Sequence, residues 1–111
     1  MPILKPGYTL PQLQQYQHDL CRERGWDKAS ELETFLLFSE EIGELAKAMR
    51  HRMKVYVESG KTQDNWALEQ EFSDVFSYLL ELANQFGVDL EAAFIRKEAL
   101  NAARQWDSPE A

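Results

Sequence analysis

Apolar side chains recur along this chain at intervals of three and four residues, the period of an α-helix with one buried face. The first run with this spacing consists of Leu10, Leu13, Tyr16 and Leu20. Thr9 stands just before the run and Pro11 in its opening turn, where a capping hydroxyl and a proline are both favoured. The pattern therefore predicts a first helix that extends to about Arg24 and is broken by the glycine that follows.

A longer second helix is predicted from Ser30 and Glu33, because serine followed three residues later by glutamate is the sequence of a capping box. Its apolar positions continue at helical spacing to about Met53. Residues 55–57 are the strongest strand candidate, but they are too few to found a sheet. Residues 58–61 are expected to form a loop.

Two more helices are predicted in the second half of the chain. The third begins near Asp64 or Asn65 and stops at Gly87, since glycine readily takes the left-handed conformation that ends helices. Asp89 then caps a fourth helix, which ends near Trp106. The fold class that follows is all-α, with four main helices.

The length of 111 residues fits one domain, and we expect a single domain over residues 1–111. The third helix carries more apolar side chains than one buried face can hold. These are Phe72, Val75, Phe76, Leu79, Leu80, Leu82, Ala83 and Phe86. The surplus predicts that the four-helix bundle is completed by dimerisation, most simply about a twofold axis, and a well-filled core within one subunit is the alternative.

The formal net charge of −7 argues against nucleic acid or an anionic membrane as a partner. No stretch approaches the roughly 18 apolar residues of a membrane span, and the N-terminus lacks the apolar region of a secretory signal. Cys21 is the single cysteine, so that no intrachain disulfide can form. Together these features favour a reducing, cytoplasmic location.

Two pairs of carboxylates stand three residues apart within the predicted helices, Glu41 with Glu44 and Glu71 with Asp74. Residues at this spacing are neighbours on a helix surface, and both pairs flank apolar positions. If the two helices pack with these faces together, four carboxylates converge and need a compensating cation. Oxygen ligands alone suit Mg²⁺, with Mn²⁺ as the alternative ion, and the sequence lacks the Glu-x-x-His pairs of di-iron bundles. The competing interpretation is that these carboxylates lie on solvated helix faces.

A second candidate cluster lies on the fourth helix, where Lys97, Asn101 and Arg104 share one face. Such side chains can bind phosphate oxygens and a sugar, although basic residues are also common in the last turns of helices. Trp26 and Trp66 are candidates for stacking on a nucleobase, or else belong to the core or an interface.

Three blocks of sequence occur in order along the chain: Glu40-Glu41-x-x-Glu44, Glu71-x-x-Asp74 and Lys97-x-x-x-Asn101-x-x-Arg104-x-Trp106. This combination resembles the EExxE…ExxD signature and the helix-four pattern of the MazG-like nucleotide pyrophosphohydrolases, within the all-α NTP pyrophosphatase superfamily. The likeness covers roughly residues 30 to 106.

The resemblance implies Mg²⁺-dependent hydrolysis of a nucleoside triphosphate to the monophosphate and pyrophosphate. It implies four metal ligands, Glu41, Glu44, Glu71 and Asp74. Glu40 and Glu41 would be the catalytic carboxylates, with Glu40 orienting or deprotonating the attacking water. The residues that would hold the phosphates or the sugar are Lys97, Asn101 and Arg104. The family also implies homodimers, or tetramers built as dimers of dimers, with the nucleotide near a subunit interface.

Two alternatives to this function stay open at the level of sequence. A relative that acts on dUTP, dCTP or phosphoribosyl-ATP would use the same carboxylates. A catalytically silent acidic helical dimer could instead serve as a binding module, although such a protein has little reason to keep carboxylates at the edges of its core.

Overall fold

The computed structural model describes residues 2–61 and 65–107, and within them the protein is built from four α-helices. Helix α1 spans Leu10–Arg24, α2 spans Glu31–Arg52, α3 spans Asn65–Gln85 and α4 spans Leu90–Ala102. A single 3-10 turn, Trp26–Lys28, joins α1 to α2. Strands are absent from the described part of the chain, so that the predicted all-α class is confirmed.

The helices begin where the capping residues place them. Thr9 and Ser30 each form a reciprocal capping box, in which the hydroxyl accepts from the backbone N–H three residues on. Asp89 accepts from the N–H of Ala92 at the start of α4. Gly87 has φ +68°, which confirms it as the left-handed residue after α3. Of the two predicted starts for α3, Asp64 lies outside the described residues.

Helix α4 ends at Ala102 and not near Trp106 as predicted. The chain turns back at this point, because the indole N–H of Trp106 donates to the carbonyl of Asn101 at 2.8 Å. The backbone N–H of Arg104 donates to the same carbonyl at 3.1 Å. These donors satisfy a carbonyl at the helix end that a further turn would otherwise have paired, so that the helix stops early.

Helices α2 and α3 pack side by side, α1 crosses α3, and α4 rests on α1. The face of α2 toward α3 consists of Thr34, Phe38, Glu41, Leu45 and Ala48, at alternating spacings of four and three. Among the residues that the structure describes, five apolar side chains are buried: Leu20, Cys21, Ala48, Leu80 and Ala83. No helix in the described residues is both long and apolar enough to cross a membrane.

The buried side chain of Gln14 ties α1 to the connection between α3 and α4. Its amide nitrogen donates to Asn84 Oδ1 at 3.2 Å and to the carbonyl of Val88 at 2.8 Å. Its amide oxygen accepts from the backbone N–H of Leu90 at 3.0 Å. Asn84 in turn donates to the carbonyl of Gln14 at 2.8 Å. One side chain therefore fixes where α4 starts relative to α1.

Replacing Gln14 by leucine is expected to lower the free energy of unfolding by about 2 kcal/mol, since polar groups in a partly buried site lose their partners. The measurement is urea denaturation at one fixed protein concentration. Gln15→Leu is the matched control, because Gln15 is exposed and its side chain bonds Asp19, one turn away on the same helix. Equal effects of the two substitutions would contradict the structural role of Gln14.

The protomer exposes far more surface than a folded chain of its size. Its accessible area is 8812 Å², whereas a compact monomer of 12.9 kDa exposes about 6,300 Å². Its radius of gyration is 17.5 Å, against about 13 Å for a compact domain of this length. Many of the exposed side chains are large and apolar, including Leu32, Leu36, Phe72, Phe86 and Phe94. The protomer alone therefore leaves much of its apolar surface uncovered.

Candidate functional site

Three carboxylates from two helices converge where α2 packs on α3. Glu41 lies on the inner face of α2, and Glu71 and Asp74 lie one turn apart on α3. One oxygen atom from each of these side chains lies within 4.8 Å of the other two. Glu41 and Glu71 are half-buried, and Asp74 is exposed. The packing of α2 on α3 thus brings together three of the four residues that the sequence predicted as metal ligands.

The fourth predicted ligand, Glu44, is exposed one turn after Glu41 and does not belong to the group within 4.8 Å. Glu40 is also exposed, beside Glu41. Both lie close enough for their charges to raise the pKa of the Glu41 carboxyl. They form the rim of the three-carboxylate cluster, on its α2 side.

The cluster is electrostatically strained. Burial raises the pKa of Glu41 above its usual value, and the charges of Asp74, Glu71, Glu40 and Glu44 raise it further, in that order. Two carboxylates about 5 Å apart repel by roughly 3 kcal/mol at an effective dielectric near 20. A cation bound between them would turn this repulsion into attraction.

Glu71 supplies a second indication that a cation fits here. Its Oε2 atom is buried and has no hydrogen-bond partner among the described residues. A buried carboxylate oxygen without a donor is costly, and such an atom usually marks a place for an ion or a water. Oxygen donors from three carboxylates suit a hard divalent ion such as Mg²⁺ or Mn²⁺.

A cleft of about 670 Å³ opens beside the cluster, between α1, α2 and α3. Glu41 and Asp74 stand in its wall, so that a ligand in the cleft can reach the carboxylates. The other lining residues used below are Gln17, Arg24, Trp26, Glu33, Tyr78 and Glu81. A cleft of this volume is large enough to hold a small organic molecule.

The aromatic side chains of the cleft are Trp26 and Tyr78. The indole of Trp26 is 53% exposed, and the Arg24 guanidinium lies 4.8 Å from the ring centroid. Half-exposed indole surface in a cleft offers a stacking platform for a planar ring. Burial raises the pKa of Tyr78, with a further contribution from the charge of Glu41. Tyr78 is therefore a neutral hydrogen-bonding group near the carboxylates at physiological pH.

The remaining predicted binding residues lie away from this cleft within the protomer. Lys97, Asn101 and Arg104 are on or just after α4, which packs on α1, and none of them lines the cleft. The Arg104 guanidinium lies 4.5 Å from the ring centroid of Trp106. Trp66 is 64% exposed at the start of α3 and does not line the cleft either.

Three further side chains line the cleft and were not predicted from the sequence: Tyr78, Glu81 and Gln17. The sequence pattern could have indicated Tyr78 and Glu81, because residues 74, 78 and 81 share one face of α3 at spacings of four and three. Gln17 comes from α1, and no local pattern predicts which helix closes a cleft formed by two others.

Cys21 and Glu81 lie together in the wall of a smaller cavity beside the cleft. Cys21 is 4% exposed, and its thiol lies beside the Glu81 carboxyl. Gln17 Nε2 donates to Cys21 Sγ at 3.4 Å. Burial, followed by the charge of Glu81, raises the pKa of Cys21 to about 11, so that the thiol stays protonated at neutral pH.

Cys21 is consequently expected to resist alkylation in the folded protein. At pH 8 a thiol with a pKa of about 11 is roughly 0.1% thiolate, against about a quarter for an unperturbed cysteine. The reaction with iodoacetamide should therefore be at least about 100-fold slower in the native protein than in urea. Mass spectrometry over time gives both rates, and similar rates would contradict the buried hydrogen-bonded thiol.

Comparison with known proteins gives one family match. Residues 29–99, which contain both acidic blocks and most of α4, match the sequence model of the MazG nucleotide pyrophosphohydrolase domain. The match covers more than half of the chain and includes every residue of the carboxylate cluster.

Individual relatives agree with this match. The chain is 32% identical over 104 residues to dCTP pyrophosphatase 1 of Homo sapiens and 30% identical over 102 residues to that of Rattus norvegicus. Each alignment covers 89% of this chain but 60% of the relative, so that the chain spans less than two thirds of the length of these relatives. A Bacillus subtilis protein, YpjD, is 42% identical over 60 residues, or 52% of this chain and 51% of its own length.

Proposed function

Because this chain belongs to the MazG nucleotide pyrophosphohydrolase family, we propose that it hydrolyses a nucleoside triphosphate to the monophosphate and pyrophosphate. The observation that carries the proposal is the three-carboxylate cluster, with its buried unpartnered Glu71 oxygen, in the wall of an aromatic cleft. A nucleotide carries polyanionic phosphates, which need cations, and a planar base, which can stack. The carboxylate cluster suits the first and the aromatic cleft suits the second.

The cofactor of the proposed reaction is Mg²⁺, with Mn²⁺ as the alternative, held by Glu41, Glu71 and Asp74. Glu44 is proposed as a fourth ligand, since it lies one turn from Glu41 and adds to the same field. When bound, the ion supplies positive charge against phosphoryl oxygens and acidifies nearby water. The packing of α2 on α3 holds the carboxylates in place and limits their movement.

The chain's own residues then position and deprotonate the water. Glu40 or Glu41 accepts a proton from the water, and the oxygen of that water attacks the α-phosphorus. The bond from that phosphorus to the α–β bridging oxygen breaks, and pyrophosphate leaves with the electron pair. Glu40 is suited to this role because it is exposed at the rim of the cluster. Trp26 is proposed to stack on the base in the cleft.

A deoxynucleoside triphosphate, with dCTP first to be tested, is the proposed substrate. The support is the similarity to the human and rat relatives, which are dCTP pyrophosphatases. The same site chemistry accommodates other triphosphates, because the phosphates and the metal are common to all of them.

The active form is proposed to be a homodimer or a dimer of dimers. The protomer exposes about 2,500 Å² beyond the area expected for its mass, which is within the range buried by obligate homodimers. The predicted substrate-binding residues that lie away from the cleft of their own protomer are proposed to serve the site across the subunit interface. These residues are Lys97, Asn101, Arg104 and Trp66. This arrangement makes the site complete only in the assembly.

A panel of dNTPs and NTPs assayed with Mg²⁺ or Mn²⁺ tests the proposed reaction. We expect pyrophosphate and a monophosphate as products, detected with and without a coupled pyrophosphatase. Direct release of orthophosphate would contradict the proposal, because it would show that a different phosphoanhydride bond is cleaved. No release from any member of the panel would favour a catalytically silent binding module.

A further inference from the structure

Glu81 is a half-buried carboxyl that the proposed hydrolysis leaves without a role. It lies seven residues after Asp74 on the same face of α3, and Asp74, Tyr78 and Glu81 all line the cleft. Seven residues of α-helix rise about 10 Å, comparable to the span of a nucleotide from its α-phosphate to the far edge of its base. With the phosphates at the acidic cluster, the base therefore reaches the level of Glu81.

The other carboxyls of the cleft are already engaged. Glu41 and Asp74 belong to the three-carboxylate cluster. Glu33 is exposed, and its Oε1 accepts from the backbone N–H of Ser30 in the capping box. Glu81 is thus the carboxyl of this cleft that is available to contact a base.

Glu81 packs beside two side chains of α1, Cys21 and Gln17. It also lines a second cavity, of about 190 Å³, together with Cys21 and Gln17. The Cys21 thiol lies beside the carboxyl and can donate to it, and Gln17 Nε2 donates to that thiol. Because the thiol stays protonated, it acts as the donor and occupies one carboxyl oxygen. The second oxygen is left to accept a hydrogen bond from the cleft.

Resting on the proposed function, we propose that Glu81 is a specificity-determining residue which accepts a hydrogen bond from an exocyclic amino group of the nucleobase. Cys21 is the positioning residue that orients its carboxyl. Cytosine and adenine carry an amino group on this edge, whereas thymine and uracil present a carbonyl oxygen there. A carbonyl opposite the Glu81 oxygen sets two acceptors against each other and leaves both unpaired, which is the arrangement that discriminates strongly between substrates.

The experiment measures binding and turnover separately. Calorimetry with Mg²⁺ gives the dissociation constants of dCMP, dAMP and dTMP, and pyrophosphate release gives kcat/KM for dCTP, dATP and dTTP. We expect the wild type to favour an amino-bearing base over thymine by at least tenfold in both, and the dCMP and dAMP measurements to distinguish cytosine from adenine.

The variants locate this preference at Glu81. Glu81→Leu is expected to lower the ratio of dCMP or dAMP to dTMP affinity at least about tenfold, and Glu81→Gln less, because its amide oxygen can still accept. Cys21→Ala should lower the ratio several-fold and Cys21→Ser restore it, since a hydroxyl donates as the thiol does. Glu98→Gln, an exposed carboxylate of α4, is the control and should leave the ratio unchanged.

Two outcomes separate this inference from the proposed function. The role of Glu81 is overturned, even if pyrophosphate is released, when Glu81→Leu and Glu81→Gln leave the ratio of dCMP or dAMP to dTMP affinity unchanged. It is also overturned when these variants weaken the binding of all nucleotides equally. A ratio that depends on Glu81 in the calorimetry, without pyrophosphate release from any triphosphate, supports base recognition and overturns the hydrolysis.

Discussion

Glu41→Gln is expected to lower kcat/KM for pyrophosphate release by about 100-fold or more and to abolish stabilisation by Mg²⁺. In the wild type, Mg²⁺ at 100 times its dissociation constant should add about 2.7 kcal/mol to the free energy of unfolding, or roughly 10 °C in Tm. Without metal, the variant should melt above the wild type, because one of the crowded carboxylates has lost its charge. Differential scanning fluorimetry with and without Mg²⁺ measures both shifts.

Glu69→Gln is the matched control for this experiment. Glu69 is an exposed carboxylate of α3, two residues before Glu71, and it is not part of the carboxylate cluster. It should retain the Mg²⁺ shift and the activity of the wild type. Equal loss of the shift in both variants would mean that Mg²⁺ responds to the overall negative charge and not to a site. A metal-free Glu41→Gln variant that melts below the wild type would contradict the repulsion within the cluster.

Gly43→Leu is expected to break the proposed dimer and to lower Tm, although it introduces no clash within one protomer. A Cβ built at Gly43 meets no atom within 4 Å, and the residue lies on the outer face of α2 with Leu36 and Ile42. Glycine inside a helix costs about 1 kcal/mol relative to alanine, so that an isolated protomer should gain stability from its replacement. A large side chain should instead clash if a second copy packs closely against this face.

Sedimentation equilibrium of the wild type and of Gly43→Leu tests this expectation. The wild type should have two or four times the protomer mass of 12.9 kDa, and the variant should shift toward the protomer. Gln15→Leu, which adds apolar bulk to the exposed face of α1, is the control and should leave the mass unchanged. A monomeric wild type, together with a rise in Tm for Gly43→Leu, would show that no partner covers α2.

The helix ends show what local sequence can predict. The hydroxyl of Ser30 and the carboxylate of Asp89 cap α2 and α4 as expected, because a cap bonds backbone groups within the next turn. The end of α4 was predicted near Trp106 and lies at Ala102, since the indole of Trp106 folds back onto the carbonyl of Asn101. That contact requires the chain to reverse direction, and helical periodicity cannot predict such a reversal.

The candidate site, like the helix ends, is predicted from the sequence only in part. The spacing of Glu71 and Asp74 makes them neighbours on one turn of α3 wherever that helix packs, and this much follows from the sequence alone. The meeting of these two with Glu41, and the exposure of Glu44 one turn beyond it, depend on how α2 rotates against α3. The contact of Cys21 with Glu81 depends on where α1 crosses α3.

The sequence by itself determined the helices, their starting residues and the chemical character of the site. These are set by interactions between residues at most a turn apart, which every chain with this local sequence would make. The tertiary structure alone decided which carboxylates share an ion-sized space and which side chains face the cleft. Those contacts join residues tens of positions apart, and the packing of whole helix faces, with the burial it brings, selects them.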